Sequence, residues 1–151
     1  MDNRIDIPGY KYYIDPISGD RPPIHVAFLD IEPDTDSKVN GVCVPVTSGQ
    51  LTELDRREQQ YDRIDIGEQF PMLADPVWMY VGSTRGRERR RAGDLSGTTV
   101  VTREYRNSVL HGFDMLGSDE RLAYETSTSP CNCRVVELSR QPLPDKPHQD
   151  V

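Results

Sequence analysis

The sequence predicts an α+β domain, and three observations carry that expectation. Short β-branched runs bounded by prolines and acidic turns alternate with stretches whose apolar residues recur at helical spacing. Two helix-start signals stand immediately before such stretches. No internal repeat imposes a solenoid.

Ile24 to Ile31 (IHVAFLDI) is a strand candidate between Pro22-Pro23 and Glu32-Pro33-Asp34. Val39 to Val46 is the second, with DTDSK between them as a hairpin loop. A helix then covers Ser48 to Tyr61, started by Thr47 and Gln50 at capping-box spacing. Asp62 to Gly67 alternates polar and apolar residues as a half-buried strand does. Pro76 to Gly82 is a fourth, more apolar strand, and Glu68 to Asp75 connects the two. Residues 84–98 (TRGRERRRAGDLSGT) are arginine-rich, broken by glycines and without apolar periodicity, which predicts a solvated flexible loop. Val101, Tyr105, Val109, Phe113 and Leu116 fall at helical spacing, so Thr99 to Leu116 reads as the longest helix, closed by Gly117. Ser118 opens a second short helix. VVEL beyond Cys133 makes a short strand, and the last residues form a tail. The expected organisation is one domain over residues 1–139 and a disordered tail over 140–151.

Glu58 is the residue of most chemical interest. With Leu51, Leu54 and Tyr61 it occupies one helical face, where a carboxylate stands among hydrocarbon. Burial raises a carboxyl pKa toward the range in which an acid/base catalyst works near neutrality. The bland alternative is a half-exposed stripe in which Glu58 is solvated or held by an arginine.

The segment Leu54-Asp55-Arg56-Arg57-Glu58-Gln59-Gln60-Tyr61-Asp62-Arg63 resembles the Leu-Asp-x-x-Glu...Tyr-x-Arg segment of the γ-glutamylcyclotransferase-like family. Val39 to Val46 is similar to that family's glycine-containing strand, Pro76 to Val81 to the strand after the Glu helix, and Tyr105 to Gly112 to its closing helix. The resemblance runs in order over residues 24–125. It implies a small mixed barrel-like sheet with flanking helices and a pocket at its mouth. It also implies cofactor-independent cyclisation of a small γ-glutamyl amine or peptide to 5-oxoproline, with Glu58 as general acid/base and Tyr80 and Tyr105 at the substrate. The family's Tyr-Gly-Ser loop has no counterpart here, since Val81-Gly82-Ser83 follows the helix. The expectation is therefore a chain written without its substrate-binding first strand, left with an unpaired sheet edge and a tendency to self-associate. The second reading is a catalytically silent module of the same fold that binds a ligand or a protein.

Composition narrows the setting. The 151 residues suit one domain, and 35% hydrophobic content with twelve prolines predicts long loops. A formal charge of −7 disfavours nonspecific binding to nucleic acid or anionic membrane, and the basic run at 84–98 has no aromatic for base stacking. The N-terminus lacks the basic and apolar pattern of a signal peptide, so a cytoplasmic location is expected. Cys43, Cys131 and Cys133 read as ordinary thiols of a reducing compartment. Cys131-x-Cys133 is one residue short of zinc-ligand spacing, and His25, His111 and His148 have no ligand partner one turn away, so no metal is expected.

Overall fold

The structure, a computed structural model, describes residues 1–5 and 11–143. Its elements run β1 (Lys11–Ile14), β2 (His25–Val26), α1 (Ser48–Arg57), β3 (Tyr61–Asp65), β4 (Trp78–Gly82), α2 (Thr84–Leu95), β5 (Thr99–Thr102), α3 (Arg103–Leu116), α4 (Ser118–Ser127), β6 (Arg134–Val136) and β7 (Ser139–Pro142). The α+β class holds. The described strands form three small sheets with orders β1-β7, β2-β5-β6 and β3-β4, without barrel closure. Contacts divide the chain into two units, 1–28 with 88–108 and 132–151, and 29–87 with 109–131. Among the described residues no helix is long and apolar enough to cross a membrane.

The first unit holds every fully buried side chain among the described residues. Tyr13, Val26 and Val100 are its centre, with Met1, Ile24, Phe28, Val136 and Leu138 packed around them. β2, β5 and β6 are parallel, pairing Val26 with Val100 and Val101 with Val135. β1 runs antiparallel to β7, from Lys11 opposite Pro142 to Ile14 opposite Ser139. Asn3, with no exposed surface, ties the sheets' surroundings together. Its Nδ2 donates to the carbonyls of Tyr13 at 2.8 Å and Pro22 at 3.0 Å, and its Oδ1 accepts from Tyr13 N at 2.8 Å. A buried side-chain amide is tolerated because its donors and acceptor are all used.

The second unit is built from the antiparallel β3-β4 hairpin, α1 and α4. Phe113 stacks on Tyr124 with ring centroids 4.3 Å apart. Arg121 reaches Asp114 at 2.6 Å and Glu125 at 2.9 Å, so α4 is fixed to the preceding helical turn by aromatic and ionic contacts together.

Several local expectations are corrected. Residues 84–95 of the anticipated loop are the helix α2. Ser83 caps it by accepting from Gly86 N at 3.1 Å, Arg90 pairs with Asp94 at 2.8 Å one turn on, and Gly97 at φ 65 closes its end. Arginine is a good helix former that needs no apolar stripe, which is the signal whose absence suggested a loop. Thr99 to Thr102 is a strand, and α3 starts only at Arg103. Their β-branched side chains favour the pleated surface, and Thr102 Oγ1 then accepts from Tyr105 N at 3.3 Å to start the helix. The 24–31 strand shrinks to His25–Val26, and Val39 to Val46 joins no sheet. β7 takes the first residues of the expected tail into pairing, while 144–151 lie outside the described residues. Cys131 and Cys133 are disulfide-bonded rather than ordinary thiols, and Cys43 is free and exposed.

Candidate functional site

The helix carrying the Glu58 stripe starts as its sequence prescribes. Thr47 Oγ1 accepts from Gln50 N at 3.2 Å, and Gln50 Oε1 accepts from Thr47 N at 2.8 Å, a reciprocal capping box. Leu51, Leu54 and Glu58 are half-buried, whereas Thr52, Glu53, Asp55, Arg56, Arg57 and Gln59 are exposed, so the expected face is present as far as the C-cap; the helix ends at Arg57, not Tyr61, and Tyr61 begins β3. Glu58 itself caps the C-terminus of α1. Its N–H donates to Leu54 O and its carbonyl accepts from Tyr61 N, both at 2.8 Å, which turns the chain from helix into β3.

The environment of the carboxylate differs from the expectation. No residue of α1 is fully buried. Arg57 Nε donates to Glu58 Oε1 at 2.8 Å, and the Glu58 side chain keeps 26% of its surface exposed. An exposed pair of this kind contributes little stability and is readily exchanged for another cation. Glu58 is thus an ion-paired carboxylate at a helix end rather than a desolvated one inside an apolar stripe.

Asp55, one turn earlier, is the hub of the neighbouring hairpin. It accepts from Tyr80 OH at 2.7 Å and from Arg63 Nη1 at 3.0 Å. Register explains the convergence, because Arg63 and Tyr80 lie opposite each other on β3 and β4. The Arg63 guanidinium also lies 4.6 Å from the Trp78 ring centroid. Burial first, and then the bond to the Asp55 carboxylate, push the Tyr80 phenol above its ordinary pKa. Tyr80 is therefore anchored to Asp55. Tyr61 sends its hydroxyl to Leu29 O at 2.7 Å. Tyr105 belongs to the first unit, where its ring meets Phe28 edge-on at 5.0 Å and 80°.

The first unit contains a constellation that no sequence signal marked. A cleft of about 410 Å³ is lined by Asp2, Arg4, His25, Arg89, Ser96 and Thr98, with Ile5, Pro23 and Ala92 as apolar wall. His25 is only 8% exposed. Its Nδ1 lies 2.9 Å from Thr98 Oγ1, which lies 2.8 Å from Ser96 Oγ. Its Nε2 is 3.8 Å from Asp2 Oδ2. Arg4 clamps that carboxylate with Nε to Oδ1 at 3.0 Å and Nη2 to Oδ2 at 2.8 Å. The clamp brings the Asp2 pKa from 3.8 down to about 2. Burial holds His25 below its ordinary value. Gly93 makes the arrangement possible, because a Cβ there would stand 2.6 Å from His25 Cβ. The residues come from positions 2–5, 23–25 and 89–98, and no spacing in the sequence links them.

No protein-family model, curated protein or solved structure matches the chain.

Proposed function

We propose that the chain is a γ-glutamylcyclotransferase-like protein, with that family's small mixed barrel-like fold, which closes a γ-glutamyl amine or peptide to 5-oxoproline. The observation that supports this reading is Glu58 at the α1–β3 junction, on the half-buried face shared with Leu51 and Leu54. The α-amine of the substrate attacks its own γ-carbonyl, the C–N bond to the leaving amine breaks, and the amine departs with one proton. Because the nucleophile is tethered, binding in the curled conformation supplies most of the proximity. One carboxylate can take the proton from the substrate ammonium and return it to the leaving nitrogen.

The Arg57–Glu58 pair gives this chemistry a first step. The substrate ammonium replaces the Arg57 guanidinium at Glu58 Oε1, exchanging one cation for another at an exposed pair. Tyr80, in the same unit as Glu58, is the substrate-contacting residue of the proposal. The same Arg57 contact favours the second reading, a catalytically silent module that binds a ligand or protein, since it leaves Glu58 occupied.

Release of 5-oxoproline from γ-glutamyl dipeptides separates the two readings. Glu58→Gln is expected to abolish turnover with the thermal melt unchanged, and Arg57→Ala to retain it. Full activity of Glu58→Gln refutes the catalytic role, and no turnover by the unsubstituted chain leaves the binding module.

A further inference from the structure

The His25 cleft lies in the first unit, and the cyclotransferase reading uses none of its residues except through the fold. Its two walls differ in chemistry. Ile5, Pro23 and Ala92 present hydrocarbon, while His25 and Arg4 present N–H donors. Small-molecule sites commonly combine an apolar wall with a few convergent polar groups in this way.

The donors have a definite arrangement. His25 Nδ1 lies 2.9 Å from Thr98 Oγ1, the tautomer setting which of the two donates, and the protonated ring carries an N–H on Nε2 as well. From Nε2 the nearest acceptor, Asp2 Oδ2, is 3.8 Å away, beyond hydrogen-bond range. The protonated form of this near-buried ring therefore has one N–H, on Nε2, that makes no hydrogen bond among the described residues. Arg4 commits Nε and Nη2 to Asp2, and a guanidinium has five N–H donors in all, so further donors remain on the same planar fork. Asp2 is clamped by Arg4 and Asp94 is tied to Arg90, each at 2.8 Å.

Hydroxyl nucleophile chemistry is a poorer fit. The Ser96, Gly97 and Thr98 amides donate to Ala92 O, Asp94 O and Gly93 O. None of these three is available to hold an oxyanion.

We propose that this cleft binds a small organic carboxylate, which accepts from His25 Nε2–H and the Arg4 guanidinium and lays a compact hydrocarbon body against Ile5, Pro23 and Ala92. A bound negative charge beside the imidazole favours its protonated form, so occupancy raises the His25 pKa. The charged groups that act on His25 are the Met1 ammonium, Asp2, Arg4, Arg89 and Asp94. Of these the Met1 amine, lowered to about 6 by burial, titrates beside the ring.

The test is a nuclear magnetic resonance titration of the full chain with isobutyrate, isobutyramide and inorganic phosphate at matched ionic strength. Isobutyrate should shift the His25 ring and the Ser96 and Thr98 amides saturably in the millimolar range, and raise the His25 midpoint by about half a pH unit. Isobutyramide, the neutral isostere, should not. Ala92→Leu fills the apolar wall from an exposed helical position, and should weaken isobutyrate about tenfold while the remaining amide spectrum is retained. Equal shifts with isobutyramide, binding of phosphate but not isobutyrate, or an unweakened Ala92→Leu variant would each overturn the assignment.

Discussion

Replacing Gly93 with alanine sets two opposing effects against each other, and the structure decides which wins. In a helix interior alanine is favoured over glycine by about 1 kcal/mol. Gly93 lies within α2 and is buried. A Cβ built on it stands 2.6 Å from His25 Cβ, 2.6 Å from Thr99 Oγ1 and 2.8 Å from His25 Cγ. Carbon atoms in contact sit near 3.5–4.0 Å, so roughly 1 Å of separation must be found. Neither neighbour is the end of a flexible side chain. His25 and Thr99 are Cα partners in the β2-β5 ladder, so both are fixed by the sheet. Overpacking of this kind costs about 1–3 kcal/mol, and a contact against backbone-fixed atoms belongs at the upper end. The expected net loss is about 2 kcal/mol, near a thirtyfold fall in the folding equilibrium. With a urea dependence of about 2 kcal/mol per molar, the unfolding midpoint should drop by about 1 M. Gly112→Ala is the internal control. It changes the same residue type in α3, where an added Cβ meets nothing within 4 Å, and it should stabilise by about 0.5–1 kcal/mol. Equal stabilisation by both substitutions would refute the packing argument.

Two further outcomes follow from the titratable groups. Asp2 has its pKa depressed from 3.8 to about 2, chiefly by the Arg4 hydrogen bonds, so its contribution is present above pH 4 and is lost as pH falls through 2. Acid unfolding of Asp2→Asn should show a shallower pH dependence in that window, and added salt should weaken the dependence in the parent chain, because the Arg4 side chain is 59% exposed. Tyr80 is the opposite case. Its phenol is raised above 10.0, so the bond to Asp55 is retained below pH 10 and is lost as pH rises through the folded value. Tyr80→Phe should remove one late-titrating phenolate from the ultraviolet absorbance curve and cost at most about 1 kcal/mol at neutral pH. Loss of that phenolate from the ordinary phenol range near pH 10, with the late part of the curve intact, would show that Tyr80 is not shifted.

Signals confined to a few neighbouring residues were legible in the sequence. The Thr47–Gln50 capping box, the 51-54-58 stripe, the helix from Ser118 and the β3 and β4 segments depend on contacts within a turn or across a hairpin, so their residue pattern states them directly. The α2 helix shows how a local rule fails locally. Its arginines satisfy helix propensity without a stripe, and only its end residues, Ser83 and Gly97, mark a helix there.

What tertiary structure alone decided is which segments find partners. Val42, Val44 and Val46 have the composition of a strand and remain 65%, 67% and 43% exposed, because β-propensity becomes a strand only where another backbone is in register. Thr99 to Thr102 has the opposite fate, gaining β2 on one side and β6 on the other. Asp2, His25 and Thr98 are brought together from distant positions by the β2-β5 pairing and by the missing side chain at Gly93. The sequence determined the α+β class, the Thr47 cap of α1 and the carboxylate at position 58, whereas α4 begins at Ser118 with Gly117 as its N-cap and no side-chain cap bond. The surroundings of that carboxylate, and the donor arrangement around His25, were decided by long-range packing, since burial and charge pairing belong to the neighbours a residue meets and not to its own pattern.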